Sequence, residues 1–451
     1  MLHRKYFLLL LGIVLTACQS SPPLAGAAVQ THIEKSDDGM WYAHYITEQP
    51  VERLYFHRNP NAARQQRWQP LSSEIEIVIE DGAEVVRHRE GKPFSSASFR
   101  LSPTYIPLPK DYALFSPFSN GDVGIYSGRF FACSVAPCDE TSNHYPMRLT
   151  SSKNEHIVIQ GKIHTDYIEW IGRNSGEQIY VGRLQPKIMS GLLAIIDPAL
   201  PSSILSPLTV DLPILMQFMQ TNLGELQNTY APTLFASFAR EFANPRTKST
   251  QGGTLSNQVF MHWDLNQAQM DELERSFDQN STLWFLAHEA GHFYQRSYAQ
   301  SSNHNDAWIH EGMAEMLAYQ ALQQHYADEA QDFLRQKVLD ATNSCHASLT
   351  ETSLANASEQ QKFSAHYDCG LLIHLAVEQH AGRVTNSSAI KVWNDYVTMT
   401  AQGAEANTQT YLKAIAQNTS TEFAQVVSAF IQQTHRDPKA AVKTLFAAKL
   451  N

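Results

Sequence analysis

The 451-residue sequence contains no run of basic residues and no internal repeat. Its 34 Lys and Arg residues against 44 Asp and Glu residues give a formal net charge of −10. This balance argues against nucleic acid or an anionic lipid surface as the main partner. After the amino-terminal segment there is also no stretch of about 18 consecutive apolar residues, so we expect the remaining chain to be soluble.

The amino terminus has the pattern of an export signal. A basic start precedes the apolar run Tyr6–Leu15, which is shorter than the roughly 20 residues that cross a bilayer. The following tetrad Leu-Thr-Ala-Cys18 resembles the lipobox of bacterial lipoproteins, whose cysteine is acylated. The resemblance implies a signal peptide at 1–17, a lipid on Cys18 and a tether at 18–30. An ordinary secretory signal is the alternative.

The residue after Cys18 bears on the expected location. In bacterial lipoproteins an aspartate there indicates retention in the inner membrane, whereas this chain has Gln19. The resemblance therefore implies a lipid-anchored protein of the bacterial cell envelope, in the outer membrane and facing the periplasm.

Four further cysteines occur in the chain, Cys133, Cys138, Cys345 and Cys369. An even number in an exported protein favours disulfides. The close spacings favour Cys133 with Cys138 and Cys345 with Cys369, although four cysteines allow three connectivities. Free buried thiols are the alternative. Since no Cys-x-x-Cys spacing is present, we do not expect these residues to bind zinc.

Hydrophobic periodicity divides the chain into parts of different type. Alternating segments such as Glu74–Glu80 predict strands early in the chain, and longer helical patterns such as Ser281–Tyr298 and Met313–Ala341 follow. These patterns predict an α+β fold. The predicted parts are a β-rich amino-terminal domain, a mixed catalytic domain and a helical carboxy-terminal region, at residues 31–195, 196–376 and 377–451.

Metal chemistry is indicated by His288-Glu-Ala-Gly-His292. Four-residue spacing on a helix places both histidines on one face, where they can bind a single metal ion, and Glu289 points toward the open coordination position. The surrounding residues are apolar enough to bury the helix. Burying two imidazoles costs free energy unless a partner such as a metal satisfies them.

A second motif, Trp308-Ile-His-Glu311-Gly-Met-Ala-Glu315, follows, and 18 residues separate His292 from Glu311. The two motifs resemble those of gluzincin zinc metallopeptidases of the aminopeptidase-N-like and glycyl aminopeptidase-like families, although His310 replaces the family's asparagine. The resemblance implies a thermolysin-like catalytic domain and one Zn²⁺ ion bound by His288, His292 and Glu311. A buried helix pair with satisfied histidines is the alternative.

Two more positions are compared with the same family. Tyr367-Asp-Cys-Gly370 lies 56 positions after Glu311 and is similar to a family segment whose tyrosine donates a hydrogen bond to the tetrahedral intermediate. The resemblance implies that role for Tyr367, against a plain core tyrosine. Glu315 is expected either to orient a zinc-binding histidine or to be a helix-surface carboxylate.

The sequence departs from the family where aminopeptidases bind the substrate's α-amine. The family's Gly-x-Met-Glu-Asn strand is matched by Gly253-Thr-Leu-Ser-Asn257, so Ser256 stands in place of the glutamate. A neutral hydroxyl cannot form the charge-assisted bond that selects a free amino terminus. Asn257 and the backbone near Leu255 remain candidates for binding an extended peptide. Aminopeptidase and endopeptidase specificity both stay open.

Together these features predict a zinc-dependent metallopeptidase that hydrolyses peptide bonds with a metal-activated water and with Glu289 as general base. The alternative is a non-catalytic binding or assembly factor of the envelope that keeps the fold. Glu289 favours the peptidase, because a pure scaffold has no physical need for this carboxylate. We expect a peptide or protein substrate and membrane attachment through Cys18. The oligomeric state is not indicated.

Overall fold

The structure is a computed structural model, and it describes residues 28–59, 63–106, 108, 111–138, 144–189, 191–226, 230–239, 249–255 and 257–447. Two of the predicted site residues, Cys18 and Ser256, lie outside the described residues, as does the predicted signal peptide 1–17.

The amino-terminal part is built from strands with one short helix. In chain order these are β1 (Val29–Lys35), β2 (Trp41–Val51), β3 (Arg53–Phe56), α1 (Ala63–Arg67), β4 (Trp68–Pro70), β5 (Ile75–Glu80), β6 (Ala83–His88), β7 (Phe94–Leu101), β8 (Phe115–Pro117), β9 (Val123–Tyr126), β10 (Ala132–Cys133), β11 (Tyr145–Thr150), β12 (His156–Ile159), β13 (Lys162–Thr165), β14 (Tyr167–Gly172) and β15 (Gln178–Gly182).

These strands form three sheets, with the orders β14-β11-β1-β2-β7-β4, β10-β3-β6-β5 and β13-β12-β15-β9-β8. Along β1 every second side chain is buried, as expected for a strand with one face on a core. Ile33, Phe56 and Ile125, one from each sheet, belong to a single buried cluster. The three sheets therefore share one hydrophobic core.

A further sheet lies in the middle of the chain, with the order β16-β17-β18-β20-β19. Its strands are β16 (Lys187–Met189), β17 (Leu192–Ile196), β18 (Thr233–Ala239), β19 (Ser249–Leu255) and β20 (Gln258–Asp264). The central strands β17, β18 and β20 are parallel, and β19 runs antiparallel to β20 at the edge. Every residue of β18 is buried, because the amino-terminal sheets cover one face and helices cover the other.

The rest of the chain is mainly helical. The helices are α2 (Ser202–Ser206), α3 (Leu212–Leu223), α4 (Gln267–Arg275), α5 (Gln279–Tyr294), α6 (Trp308–His325), α7 (Ala327–Glu351), α8 (Ser364–Val384), α9 (Ala389–Ala401), α10 (Thr408–Asn418), α11 (Thr421–Gln432) and α12 (Pro438–Ala447). The predicted α+β fold, with a β-rich beginning and a helical end, is confirmed.

The prediction of one helix over Met313–Ala341 was wrong. The chain forms α6 and α7, and it leaves the helical conformation at Tyr326, where φ is −136° and ψ is 34°. The Tyr326 hydroxyl donates a hydrogen bond of 2.7 Å to Asp211, which lies directly before α3. A contact with a distant part of the chain therefore accompanies the break, and local periodicity does not report such contacts.

One helical run, Ser202–Leu223, is long and apolar enough to cross a membrane by length and composition. Leu215, Met216 and Met219 in this run are buried in the same cluster as the residues of α5 and α6. A core helix passes the same test, and packing of this kind is what a core helix shows.

Both predicted disulfides are present. Cys133 bonds to Cys138, with 5.6 Å between their Cα atoms, and Cys345 bonds to Cys369, with 5.0 Å between theirs. The second bond joins α7 to α8 two residues after Tyr367. It therefore fixes the helix that carries this tyrosine to its neighbour.

Helices α6 and α8 touch at a pair of glycines. A Cβ atom added to Gly312 would lie 2.5 Å from Gly370 Cα, and one added to Gly370 would lie 2.7 Å from Gly312 Cα. No side chain can give way there, because the atoms in contact are backbone. The two glycines thus set the distance between the helix that carries Glu311 and the helix that carries Tyr367.

We expect Gly312→Ala to lower the free energy of unfolding by about 1–3 kcal/mol, because the added methyl overpacks the crossing. Gly382→Ala in α8 is the control: the nearest atom to its added Cβ is 3.8 Å away, and a helical Gly→Ala change there should stabilise by about 0.5–1 kcal/mol. Denaturant unfolding measures both changes. Equal stability of Gly312→Ala and wild type would contradict the close crossing.

Candidate metal centre

Helix α5 carries the first motif on a buried face. The Asp278 side chain accepts a hydrogen bond from the backbone N–H of Ser281 and caps the start of the helix. Leu283, Leu286 and Ala287 are buried in the hydrophobic cluster that also contains residues of α6. This packing fixes the rotation of the helix, so that the two histidines face α6.

Three donor atoms converge between α5 and α6. His288 Nε2 lies 3.1 Å from His292 Nε2 and 3.4 Å from Glu311 Oε2, and His292 Nε2 lies 3.3 Å from the same Glu311 oxygen. A tetrahedral zinc ion bound at about 2.0–2.1 Å from each donor sets its donors about 3.3–3.4 Å apart. The spacing of the three atoms, and their chemistry, therefore fit Zn²⁺.

His288 is held from its other ring nitrogen. Its Nδ1 lies 2.9 Å from Glu315 Oε1, and the second Glu315 oxygen accepts a 3.0 Å hydrogen bond from Trp284 Nε1. Burial lowers the pKa of His288, but Glu311 and Glu315 outweigh burial and raise this pKa to about 10. The surroundings of His288 thus favour a positive charge, which a metal cation supplies in place of a proton.

Glu311 faces histidines with both of its oxygens. Oε2 lies toward the two zinc-motif histidines, and Oε1 lies 3.4 Å from His310 Nε2. Burial alone would raise the pKa of Glu311, but hydrogen bonding to the imidazoles of His288, His292 and His310 keeps this pKa below its usual range. Glu311 is therefore ionised, as a metal ligand must be.

The carboxylate of Glu289 lies beside the three donors. Its Oε2 atom is buried and has no hydrogen-bond partner among the residues that the structure describes. A buried carboxylate oxygen without a partner costs free energy unless a donor arrives from outside the protein. A water molecule or a substrate amine is a donor of that kind.

Tyr367 lies over the metal site. Its ring stacks on His288 with 5.7 Å between the ring centroids and an angle of 26° between the planes. Burial, followed by the negative charges of Glu311 and Glu289, raises the pKa of Tyr367 above its usual value. The hydroxyl is therefore protonated at neutral pH and can donate a hydrogen bond.

A cleft of about 710 Å³ opens beside these residues. Its walls come from the amino-terminal part and from the later part of the chain. They are formed by the loop 173–177 before β15, by the end of β19, and by residues that follow His292 at and beyond the end of α5. His292, His310 and Glu311 also line it. The metal site is thus open to a ligand on this side.

The edge strand β19 borders the cleft. The Tyr112 hydroxyl donates a 3.3 Å hydrogen bond to the backbone oxygen of Thr254, so this edge position is already used. Asn257, at a φ of 61° between β19 and β20, lines the cleft, and its side-chain amide donates to the backbone oxygen of Tyr230 at 2.7 Å. Asn257 therefore shapes the wall, with its Nδ2 donating inside the protein.

Comparison with known proteins gives the fold. No family model matches this chain, and no curated protein matches it in sequence. A solved M1 zinc metallopeptidase from Deinococcus radiodurans matches with a TM-score of 0.51 and 13% identity over 91% of this chain and 94% of its own. The fold is that of the M1 zinc metallopeptidases.

Two further solved structures share this fold. A mutant of the Deinococcus radiodurans enzyme matches with a TM-score of 0.52 and 14% identity, over 91% of this chain and 95% of its own. Native leukotriene A4 hydrolase from Saccharomyces cerevisiae matches with a TM-score of 0.50 and 11% identity, over 92% of this chain and 68% of its own. The similarity extends over both the β-rich and the helical parts.

The structure brings together His288, Glu289, His292, Glu311, Glu315 and Tyr367. It also adds residues that sequence reasoning missed. Trp284 lies one helical turn before His288, a spacing that could have indicated its contact with Glu315. His310 had no assigned role, although it directly precedes Glu311. Tyr112 comes from the amino-terminal part, and no local pattern connects it with β19.

We expect Glu311→Gln to lose zinc binding, because an amide oxygen carries no charge to offset that of the ion. Glu315→Gln should weaken zinc affinity by about 10- to 100-fold through His288. Competition against a zinc chelator measures the dissociation constants, and Glu329→Gln, an exposed position on α7, is the control. Unchanged zinc affinity in Glu311→Gln would contradict this ligand set.

Proposed function

We propose that the protein is a zinc-dependent metallopeptidase. The observation that carries this proposal is the convergence of two imidazoles and one carboxylate, with donor atoms 3.1–3.4 Å apart, beside an open cleft. Residues His288, His292 and Glu311 would hold the ion. The fold shared with M1 zinc metallopeptidases supports the same activity.

A zinc ion bound there supplies a Lewis acid that polarises a peptide carbonyl and lowers the pKa of water. Glu289 acts as general base: its buried, unpartnered oxygen accepts the proton of the attacking water and returns it to the leaving amine. Tyr367 donates its hydroxyl proton in a hydrogen bond to the carbonyl oxygen as that oxygen gains negative charge. Such a donor contributes about 100- to 1,000-fold in rate.

The choice between an aminopeptidase and an endopeptidase depends on how the cleft treats a free amine. The serine at position 256 carries no charge to bind an ammonium group. Glu177 and Glu311 are the carboxylates among the described residues that line the cleft. Glu311 would be used by the metal, and Glu177 already accepts a 2.9 Å hydrogen bond from Gln160 Nε2. We therefore propose that peptides bind in this cleft, beside the end of β19, without a requirement for a free amino terminus.

We expect Glu289→Gln to lower kcat/KM by at least about 100-fold while zinc binding persists, because the amide cannot accept the proton of water. The assay uses internally quenched peptides beside aminoacyl reporters, and Glu272→Gln, an exposed position on α4, is the control. Faster cleavage of the quenched peptides would support endopeptidase action. Equal turnover by wild type and Glu289→Gln would rule out the peptidase.

If the protein is instead a binding or assembly factor of the envelope, the same assay should give a different result. Zinc should be bound, and neither wild type nor any variant should cut a peptide. One buried oxygen of Glu289 has no hydrogen-bond partner among the described residues. This favours the peptidase, because a scaffold gains nothing from the cost in free energy.

We also propose that a lipid on Cys18 holds the protein in the outer membrane, facing the periplasm. The support is the sequence Leu-Thr-Ala-Cys18-Gln19 after a short apolar run. In a bacterium with two membranes, Cys18→Ser should abolish fatty-acid labelling and shift the protein away from the membrane fraction, with peptidase activity retained. Labelling that persists in Cys18→Ser would contradict a lipid at this residue.

A further inference from the structure

Gln295 is a buried glutamine directly after α5, the helix that carries His288 and His292. Helix α5 ends at Tyr294, and the backbone N–H of Gln295 still donates to the oxygen of Gly291 at 3.0 Å. The residue is only 5% exposed. A buried amide must have its oxygen and its nitrogen satisfied, or it costs free energy.

Both ends of this amide have partners at the metal centre. Gln295 Nε2 donates a 2.7 Å hydrogen bond to the backbone oxygen of His310, and Gln295 Oε1 lies 2.9 Å from His292 Nδ1. The carbonyl of His310 can only accept, so the nitrogen of the amide must face it. The amide oxygen must then face His292, and it can only accept as well.

Only a His292 ring with a proton on Nδ1 satisfies this chain of contacts. The ring has to donate from Nδ1, which leaves Nε2 without a proton in the neutral imidazole. That Nε2 atom is the one that points at His288 and Glu311. The amide therefore presents a lone pair where a metal ligand needs one.

We infer that Gln295 is a positioning residue for zinc, which fixes the tautomer of His292 and ties it to the backbone that carries Glu311. The inference rests on the zinc site of the proposed function and not on the bond that is cut. The two histidines differ in their partners: His288 contacts the carboxylate of Glu315, whereas His292 contacts the neutral amide of Gln295. The second histidine is thus oriented without adding another negative charge.

Two substitutions separate orientation from stability. Gln295→Met keeps the length of the side chain and removes both polar contacts, so we expect its zinc dissociation constant to rise by about 10- to 100-fold. Gln295→Glu keeps an acceptor for His292 Nδ1 and loses only the donor to His310. This variant should be less stable than wild type and should bind zinc at least as tightly.

The matched control is Gln258→Met. Gln258 is also a buried glutamine with both amide ends engaged, since it accepts from the backbone N–H of Gln178 at 2.8 Å and donates to the oxygen of Gln178 at 2.9 Å. Its loss should lower the unfolding midpoint and leave zinc affinity unchanged. Stability and zinc affinity are measured for all four proteins, by thermal unfolding without metal and by chelator competition.

A spectroscopic measurement tests the inference without any change at position 295. In zinc-free protein with ¹⁵N-labelled histidine, the ring of His292, assigned by its loss in His292→Asn, should carry a proton on Nδ1. A ring that carries its proton on Nε2 alone would overturn the inference. Wild-type affinity in Gln295→Met, or equal losses in Gln295→Met and Gln295→Glu, would overturn it too. A wild-type protein that binds no zinc would remove the proposed function as well.

Discussion

The close packing of α6 against α5 on one side and α8 on the other is the constraint on which the candidate site depends. Each of the three motifs contributes a small residue to it. A Cβ added to Gly291 would lie 3.3 Å from Leu317 Cδ1 and 3.7 Å from Ala314 Cα, and Gly312 meets Gly370 backbone to backbone. Because the helices approach this closely, donor atoms from α5 and α6 come within 3.4 Å of one another. Larger residues at these glycines would push the helices apart. The donor atoms would then be separated, although the donor residues themselves are unchanged.

The charges around the site explain why it favours a bound cation. Glu289, Glu311 and Glu315 are carboxylates around two imidazoles in a largely buried volume, and hydrogen bonds compensate only part of their charge. In the protein without metal the pKa of His288 is raised, so a proton offsets some of the negative charge. A divalent ion offsets more of it from a central position. Burial, together with the same carboxylates, raises the pKa of Tyr367, which leaves its hydroxyl protonated and able to donate.

Short-range spacing carried the sequence predictions that succeeded. The four-residue spacing of His288 and His292 predicted a shared helix face, and the close cysteine spacings predicted both disulfides. Contacts between distant segments were beyond that reasoning. The helix break at Tyr326 is accompanied by a contact between Tyr326 and the distant Asp211. One local signal was available, because acidic residues in the first turn of α7 indicate the start of a helix. The partner of His292, at position 295, was visible only once the helix was seen to end there.

The β-rich domain is part of the cleft. Gln251 in β19 receives a hydrogen bond from the backbone N–H of Ala113 and donates to the backbone oxygen of Asp111, and Tyr112 between them bonds to Thr254. The edge strand is therefore held from the amino-terminal side along part of its length. Since the loop 173–177 also lines the cleft, the helical part has the proposed metal ligands but only part of the surface that a bound peptide would touch. The amino-terminal part therefore lines the cleft that would receive a substrate under the proposed function.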